Sequence, residues 1–280
     1  MKIAITGAAG LFGHGLAQVF STRHEVFPLT HSDMDITNGD DVLSVLKKIM
    51  PEVVVHPAGI PDIDICEADP AKAFLVNFHG TRNVVDAARE VGAAVAFIST
   101  DAVFDGKKTT PYAESDLPRP PTVYGRTKLR AEQFVLGNPN HFAFRVSALF
   151  GPGKTNFVDK VLRKIRAGED VTVASDQLGS ATYTLDAAQK IMEIVEARRP
   201  GLYHLSNLGA CTRLELAQGA AELAGLDKRK VIGKPSDQMG RRATRLKYAV
   251  MEMAALAKAG FAPPRPWQGA LTDYVRSLAT

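Results

Sequence analysis

The sequence predicts a doubly wound α/β fold, a parallel sheet covered by helices on both faces, with a smaller lobe after it. Three observations predict this. Short apolar runs alternate with segments of helical period through the first half of the chain. The runs are continuous and β-branched, as in EVVVH at Glu52–His56, so both faces of the sheet must be covered. A glycine-rich turn, TGAAGLFG, follows the first run directly.

The elements follow in order. Lys2–Thr6 (KIAIT) is the first strand, Leu11–Phe20 the first helix and Glu25–Leu29 the second strand. Asp40–Met50 is helical, with Val42, Val45, Leu46 and Ile49 on one face. Glu52–His56 is the third strand. Asp69 and Pro70 read as the N-cap and first residue of a long helix reaching about Glu90. Val95–Ser99 is the fourth strand, Thr122–Leu136 a helix and Phe142–Ser147 the fifth strand. Right-handed crossovers place these helices on both faces. Beyond about Gly151 the rhythm loosens. Residues 1–150 are expected to form the sheet domain and 151–280 mainly the smaller lobe, with Gly201–Ser206 (GLYHLS) returning to the sheet.

Composition narrows the setting. Of 280 residues, 45% are hydrophobic and 23% charged, the balance of a globular protein. No stretch approaches the roughly 18 apolar residues of a membrane span, and the N-terminus lacks a secretory apolar run, so a cytoplasmic protein without a membrane partner is expected. Cys66 and Cys211 are too isolated to define a disulfide framework or metal spacing. The formal net charge is +4, and basic residues cluster late, from Lys228 to Lys247. No aromatic residue interleaves them before Tyr248, so a solvated face or a patch for an anionic small molecule is expected, not nucleic-acid binding.

The glycine turn spaces Gly7, Gly10 and Gly13 as G-x-x-G-x-x-G. Gly7 permits the tight turn, Gly10 a close approach to a pyrophosphate, and Gly13 close packing of helix on strand. The helix that follows offers amide donors and a favourable dipole to phosphate. This is a dinucleotide site of Rossmann type, for NADP(H) or NAD(H). The second strand ends in Leu29-Thr30-His31-Ser32-Asp33: Asp33 would suit the ribose of NAD and His31 the extra phosphate of NADP, and the choice stays open.

Tyr124 and Lys128 stand four residues apart at the start of a helix and share one face. A nearby ammonium favours the phenolate and lowers the tyrosine pKa, making it a proton donor and acceptor for a carbonyl undergoing hydride transfer. Ser99 and Thr100 end the fourth strand, where open α/β sheets bind ligands, and a hydroxyl there can bond the same oxygen.

These pieces resemble the extended short-chain dehydrogenase/reductase superfamily and, within it, the dTDP-4-dehydrorhamnose reductase (RmlD-like) family. The resemblance spans nearly the whole chain. It rests on TGAAGLFG, MDITN at Met34–Asn38, HPAG and DIDICE up to Glu67, VNFHGTRN, STDAVFDG, YGRTK, RVSALFGPG at Arg145–Gly153, DQLGSATYTLD and GLYHLSN. It implies a Rossmann domain with a C-terminal substrate-binding lobe, and a catalytic trio of Thr100, Tyr124 and Lys128. It also implies that Gly10, Leu11 and Phe12 face the pyrophosphate, that Asp35 and Ile36 lie near the adenine, and that Ala58 and Gly59 line the way to the nicotinamide. Asp101, Ala102 and Ala148 would face the substrate.

The departures are specific. Ala102 and Ala148 stand where the family has aromatic residues against a sugar nucleotide, which should open the pocket. His56-Pro57-Ala58-Gly59 replaces N-A-A-A, and Pro61 replaces a threonine. The glutamate linked to a magnesium-bridged dimer is absent from His14-Gly15-Leu16, so no such metal is expected. The expected activity is NAD(P)H-dependent reduction of a 4-keto sugar nucleotide or related carbonyl, in a chain for which the family implies a homodimer. The alternatives are an epimerase or dehydratase of the same superfamily, or a non-catalytic cofactor-binding partner similar to the regulatory β subunit of methionine adenosyltransferase.

Overall fold

The computed structural model describes residues 1–278. β1 (Lys2–Thr6), α1 (Leu11–Phe20) and β2 (Glu25–Leu29) fall where the apolar runs place them. α2 (Gly39–Ile49) begins behind Asn38, whose side chain accepts from the amides of Asp40 and Asp41. β3 (Val53–His56) follows. α3 (Ile63–Ala68), capped by Asp62, was not anticipated: six residues are too few to show a helical period. Asp69 caps α4 (Pro70–Phe74) with Pro70 at the first position.

The single helix expected from there to Glu90 is interrupted. Leu75–His79 is π-helical before α5 (Gly80–Glu90) resumes. Such bulges frequently mark functional sites. The buried Asn77 lies within this one. β4 (Ala94–Thr100), α6 (Val123–Leu136) and β5 (Phe142–Val146) complete the first half. Thr122 caps α6 by accepting from the Gly125 amide at 3.1 Å.

The second half holds β6 (Leu149–Phe150), α7 (Phe157–Arg166), β7 (Val171–Ala174), β8 (Leu178–Gly179), β9 (Thr182–Tyr183), α8 (Thr184–Glu196) and β10 (Gly201–His204). Then come β11 (Cys211–Thr212), α9 (Arg213–Leu223), β12 (Val231–Lys234), β13 (Tyr248–Ala249), α10 (Ala254–Lys258) and α11 (Trp267–Ser277).

The main sheet has six parallel strands in the order β10-β5-β4-β3-β1-β2. Growth reverses between β1 and β3, and that switch point opens a crevice at the carboxyl ends of the strands. Period 2 along β1 sends Ile3 and Ile5 into one core and Ala4 into the other. The first core includes Phe12 and Leu16 of α1 and Ile191 and Val195 of α8; the second includes Leu46 of α2, Val84 of α5 and Ala131 and Val135 of α6. α8, β10 and Leu256 of α10 lie beyond residue 150 yet pack on the main sheet. The smaller lobe has cores of its own around Tyr274 and around Val161. Among the described residues no helix is long and apolar enough to cross a membrane.

Candidate active site

The glycine turn is built by backbone contact. Gly7 takes φ +58°, and a Cβ on it would lie 2.9 Å from the Ala58 Cα. A Cβ on Gly13 would lie 2.1 Å from the Gly7 carbonyl oxygen, so only glycine lets α1 start so close to β1. The Gly10 amide donates to the Gly7 carbonyl at 2.9 Å and closes the turn. The cradle left free of side chains at the helix N-terminus fits a dinucleotide pyrophosphate. Leu11 and Phe12 begin α1, but the Phe12 ring is buried in the first core, so only its backbone can meet a phosphate.

At the end of β2 the Asp33 carboxylate is committed to its own turn. One of its oxygens accepts from the Thr30 amide at 2.8 Å and the Thr30 hydroxyl at 2.6 Å, and His31, Ser32 and Asp33 are all exposed. Asp35 likewise serves its loop, accepting from the Thr37 amide and hydroxyl at 2.9 and 2.8 Å. Ile36 is buried in the second core, and its carbonyl accepts from Asn83 at 2.9 Å.

Ala58 and Gly59 leave β3 beside the turn. Asn77 holds this segment, accepting from the Ile60 amide at 2.7 Å and donating to Thr127 of α6 at 3.1 Å. A Cβ on Gly59 would lie 2.8 Å from the Asn77 side-chain oxygen. Sequence reasoning missed Asn77; its signal is an amide at a fully buried helical position.

Thr100 ends β4 and Tyr124 and Lys128 share a face of α6, so the fold brings the three predicted residues to one corner of the sheet. Gly125 makes this approach possible: a Cβ there would lie 2.2 Å from the Ala102 carbonyl oxygen. The Thr100 hydroxyl donates to Asp101 at 3.0 Å and accepts from the Ala102 amide at 3.1 Å. Ser147, also missed, donates to the other Asp101 oxygen. Burial pushes the Asp101 carboxyl above the usual range, against the pull of Ser147 and Thr100.

The expected electrostatics of the pair are corrected. Burial raises the Tyr124 phenol above its ordinary value, and the neighbouring Thr100 side chain opposes this only in part. Burial also takes Lys128 down to about 7, with Glu132 working the other way. The Lys128 ammonium stands 4.0 Å over the Phe97 ring. Desolvation sets both shifts, and neither group is among the causes of the other's. Behind the pair, His56 is neutral, held to about 3 by burial and the Lys128 charge. Its Nε2 faces Thr81, whose proton goes to the Asn77 carbonyl, so Nε2 carries the hydrogen and Nδ1 accepts from Thr6 at 2.7 Å.

A cleft runs from Asp101 and Ala102 past Ser147, Ala148, Ser180 and Arg213. Ala148 takes φ +33°, strained for a residue with a Cβ. Arg213 also lines a second cleft, with Lys160, Lys164, Asp170 and Arg241. The rest of the late basic cluster is largely paired: Lys228 with Glu222, Arg229 with Asp227, Arg245 with Asp64 and Lys247 with Asp176.

Comparison with known proteins gives the family. Residues 1–280 match the family described as RmlD substrate binding domain. The spore coat polysaccharide biosynthesis protein SpsK of Bacillus subtilis is 34% identical, over 100% of this chain and 98% of its own length. The dTDP-4-dehydrorhamnose reductase of Mycolicibacterium smegmatis is 36% identical, over 99% of this chain and 86% of its own. The crystal structure of dTDP-4-dehydrorhamnose reductase from Bacillus anthracis in complex with NADP superposes with a TM-score of 0.95 at 32% identity, covering 99% of both chains. A Thermus thermophilus UDP-glucose 4-epimerase complex with NAD, at 20% identity and a TM-score of 0.87, shares the fold. With the match running from end to end, the chain belongs to the RmlD substrate binding domain family.

Proposed function

We propose that this chain is an NADPH-dependent reductase of a dTDP-linked 4-keto-6-deoxy sugar of the dTDP-4-dehydrorhamnose type. What supports the reading is that Thr100 ends β4 of the sheet that carries the glycine turn and that Tyr124 and Lys128 share a face of α6, in a chain several of whose relatives carry that activity in their names. One oxygen of the Asp33 carboxylate already accepts twice from Thr30, and the exposed His31 offers an imidazole beside it, which favours a cofactor with a ribose 2′-phosphate.

NADPH, when bound, supplies the hydride. Tyr124 gives its proton to the carbonyl oxygen as the carbon is reduced, and its raised pKa keeps that proton in place until then. Thr100, whose proton goes to Asp101 in this structure, orients the same oxygen by turning that proton to it when substrate binds. Lys128, as the ammonium, binds the nicotinamide ribose and favours the developing phenolate. Arg213, shared by the two clefts, suits the diphosphate of a substrate whose sugar lies toward Asp101 and whose nucleoside lies toward Lys160 and Arg241.

The reading includes a cytoplasmic setting and a homodimer, the latter carried by the family resemblance and checked by light scattering. The activity is tested by following oxidation of NADPH with a panel of dTDP- and UDP-linked 4-keto sugars. Oxidation with a dTDP-linked member supports the reading; none with any member removes it.

A further inference from the structure

Glu132 lies one helical turn beyond Lys128 and two beyond Tyr124 on α6, so the three share a face. It is 2% exposed. Its carboxylate accepts from Arg145 through Nε at 2.9 Å and Nη2 at 2.6 Å, and from the Ser99 hydroxyl at 2.6 Å. Ser99 immediately precedes Thr100. Arg145 is equally buried, with the Phe104 ring 5.0 Å from its guanidinium carbon. Its Nη1 donates to His204 Nε2 at 3.3 Å. His204 Nδ1 donates to the Glu252 carbonyl at 2.8 Å, so the ring is the neutral Nδ1–H form, which burial favours by holding its pKa to about 4.

A buried ion pair is costly to assemble and often replaceable by apolar side chains of similar volume. One built next to Lys128, with its carboxylate on α6 fixed from two strands by Ser99 of β4 and Arg145 of β5, has a use beyond holding α6 to the sheet. We propose that Glu132 is a positioning residue for Lys128: its carboxylate, clamped by Arg145 and Ser99, is the fixed anion against which the Lys128 ammonium is held. The proposal rests on the reading of Lys128 as the group that binds the ribose and supports Tyr124.

The other groups around Lys128 do not supply that anion. Cys66 of α3 acts on it, but burial pushes the thiol up to about 11, so it is neutral near pH 7. His56 of β3 is neutral, and Phe97 of β4 offers only its ring face. Asn77 of the π-helical stretch bonds the neighbouring Thr127 and carries no charge. Asp101 acts on Tyr124, one turn before the lysine. Arg145 is engaged with Glu132 itself.

NMR titration of isotope-labelled lysine Cε reads the Lys128 charge without any turnover, its peak assigned by its loss in Lys128→Met. The wild-type midpoint is expected at about 7. Glu132→Gln should lower it by about one pH unit or more. Where the single replacement does not fold, the double variant Glu132→Met with Arg145→Met leaves no unpaired charge and should move the midpoint the same way. Val135→Ala loosens the same helix without changing charge and should leave the midpoint in place. An unmoved midpoint on loss of Glu132, or an equal fall in Val135→Ala, overturns the proposal. Failure of the wild type to reduce any keto sugar, with the titration behaving as described, counts against the reductase reading alone.

Discussion

The Thr100 hydroxyl donates to Oδ1 of Asp101 across 3.0 Å and accepts from the Ala102 amide at 3.1 Å. A hydroxyl has one proton, so in this geometry the threonine proton points at its neighbour. Ser147 donates to the other Asp101 oxygen. The carboxyl is thus occupied on both oxygens and works as an acceptor that orients Thr100.

That arrangement separates a reductase from a dehydratase. An asparagine can still accept from Thr100, so Asp101→Asn is expected to slow ketone reduction by less than about tenfold. A dehydratase using this carboxyl as an acid or base would lose on the order of 10²–10⁴ in rate. Steady-state kcat for Asp101→Asn distinguishes the two.

Tyr124→Phe removes the proton donor and keeps the ring. Turnover should fall by on the order of 10²–10⁴, while NADPH affinity, read by quenching of the single tryptophan or by calorimetry, stays within about threefold, less than the loss of one hydrogen bond to a charged group. Unchanged turnover would remove the tyrosine from the chemistry.

The fold was legible because its signals are local. Continuous β-branched runs marked β1, β3 and β4, and Asp69-Pro70 marked a helix start that the structure keeps. Thr100, Tyr124 and Lys128 were legible because a strand end and an i, i+4 spacing are local as well. Glu132, Arg145, Ser147 and Asn77 were not: their meaning comes from partners far away in sequence, as in the 46 positions between Asp101 and Ser147. The pKa directions also escaped, because burial is a property of the assembled cleft. A spacing rule sees the ammonium near the phenol and cannot see the water both have lost.

Gly13→Ala tests the cradle. The added Cβ would meet the Gly7 carbonyl oxygen at 2.1 Å and the Ala8 Cα at 2.9 Å, both backbone. Moving α1 away should cost about 1–3 kcal/mol and widen the phosphate site. Thermal melts should show the loss of stability, and calorimetry should show weaker binding of NADPH and NADH alike.

His31→Asp tests cofactor choice separately. His31, Ser32 and Asp33 are all exposed at the end of β2, and Asp33 accepts from Thr30. A carboxylate at 31 should weaken NADPH by about tenfold or more, the loss of one hydrogen bond to a charged group, and leave NADH little changed. Equal losses for both cofactors would place the 2′-phosphate elsewhere.

Lys128 should make activity and stability move in opposite directions with pH. In the unfolded chain its amine titrates near about 10.4; in the fold, burial brings it to about 7. Between these values the unfolded state binds a proton that the folded state lacks, so the stability of the cofactor-free protein rises with pH across that window. Below about 7 both states hold the proton, and the cost of the buried charge, on the order of a few kcal/mol, is fully present. The step that needs the ammonium runs the other way: kcat/KM, which reports the free enzyme, should fall as pH rises through about 7. Denaturant melts of wild type and Lys128→Met at several pH values check the first half. Wild type should gain stability toward alkaline pH relative to the variant, and a slope no steeper than that of Lys128→Met would mean that the lysine stays charged in the fold.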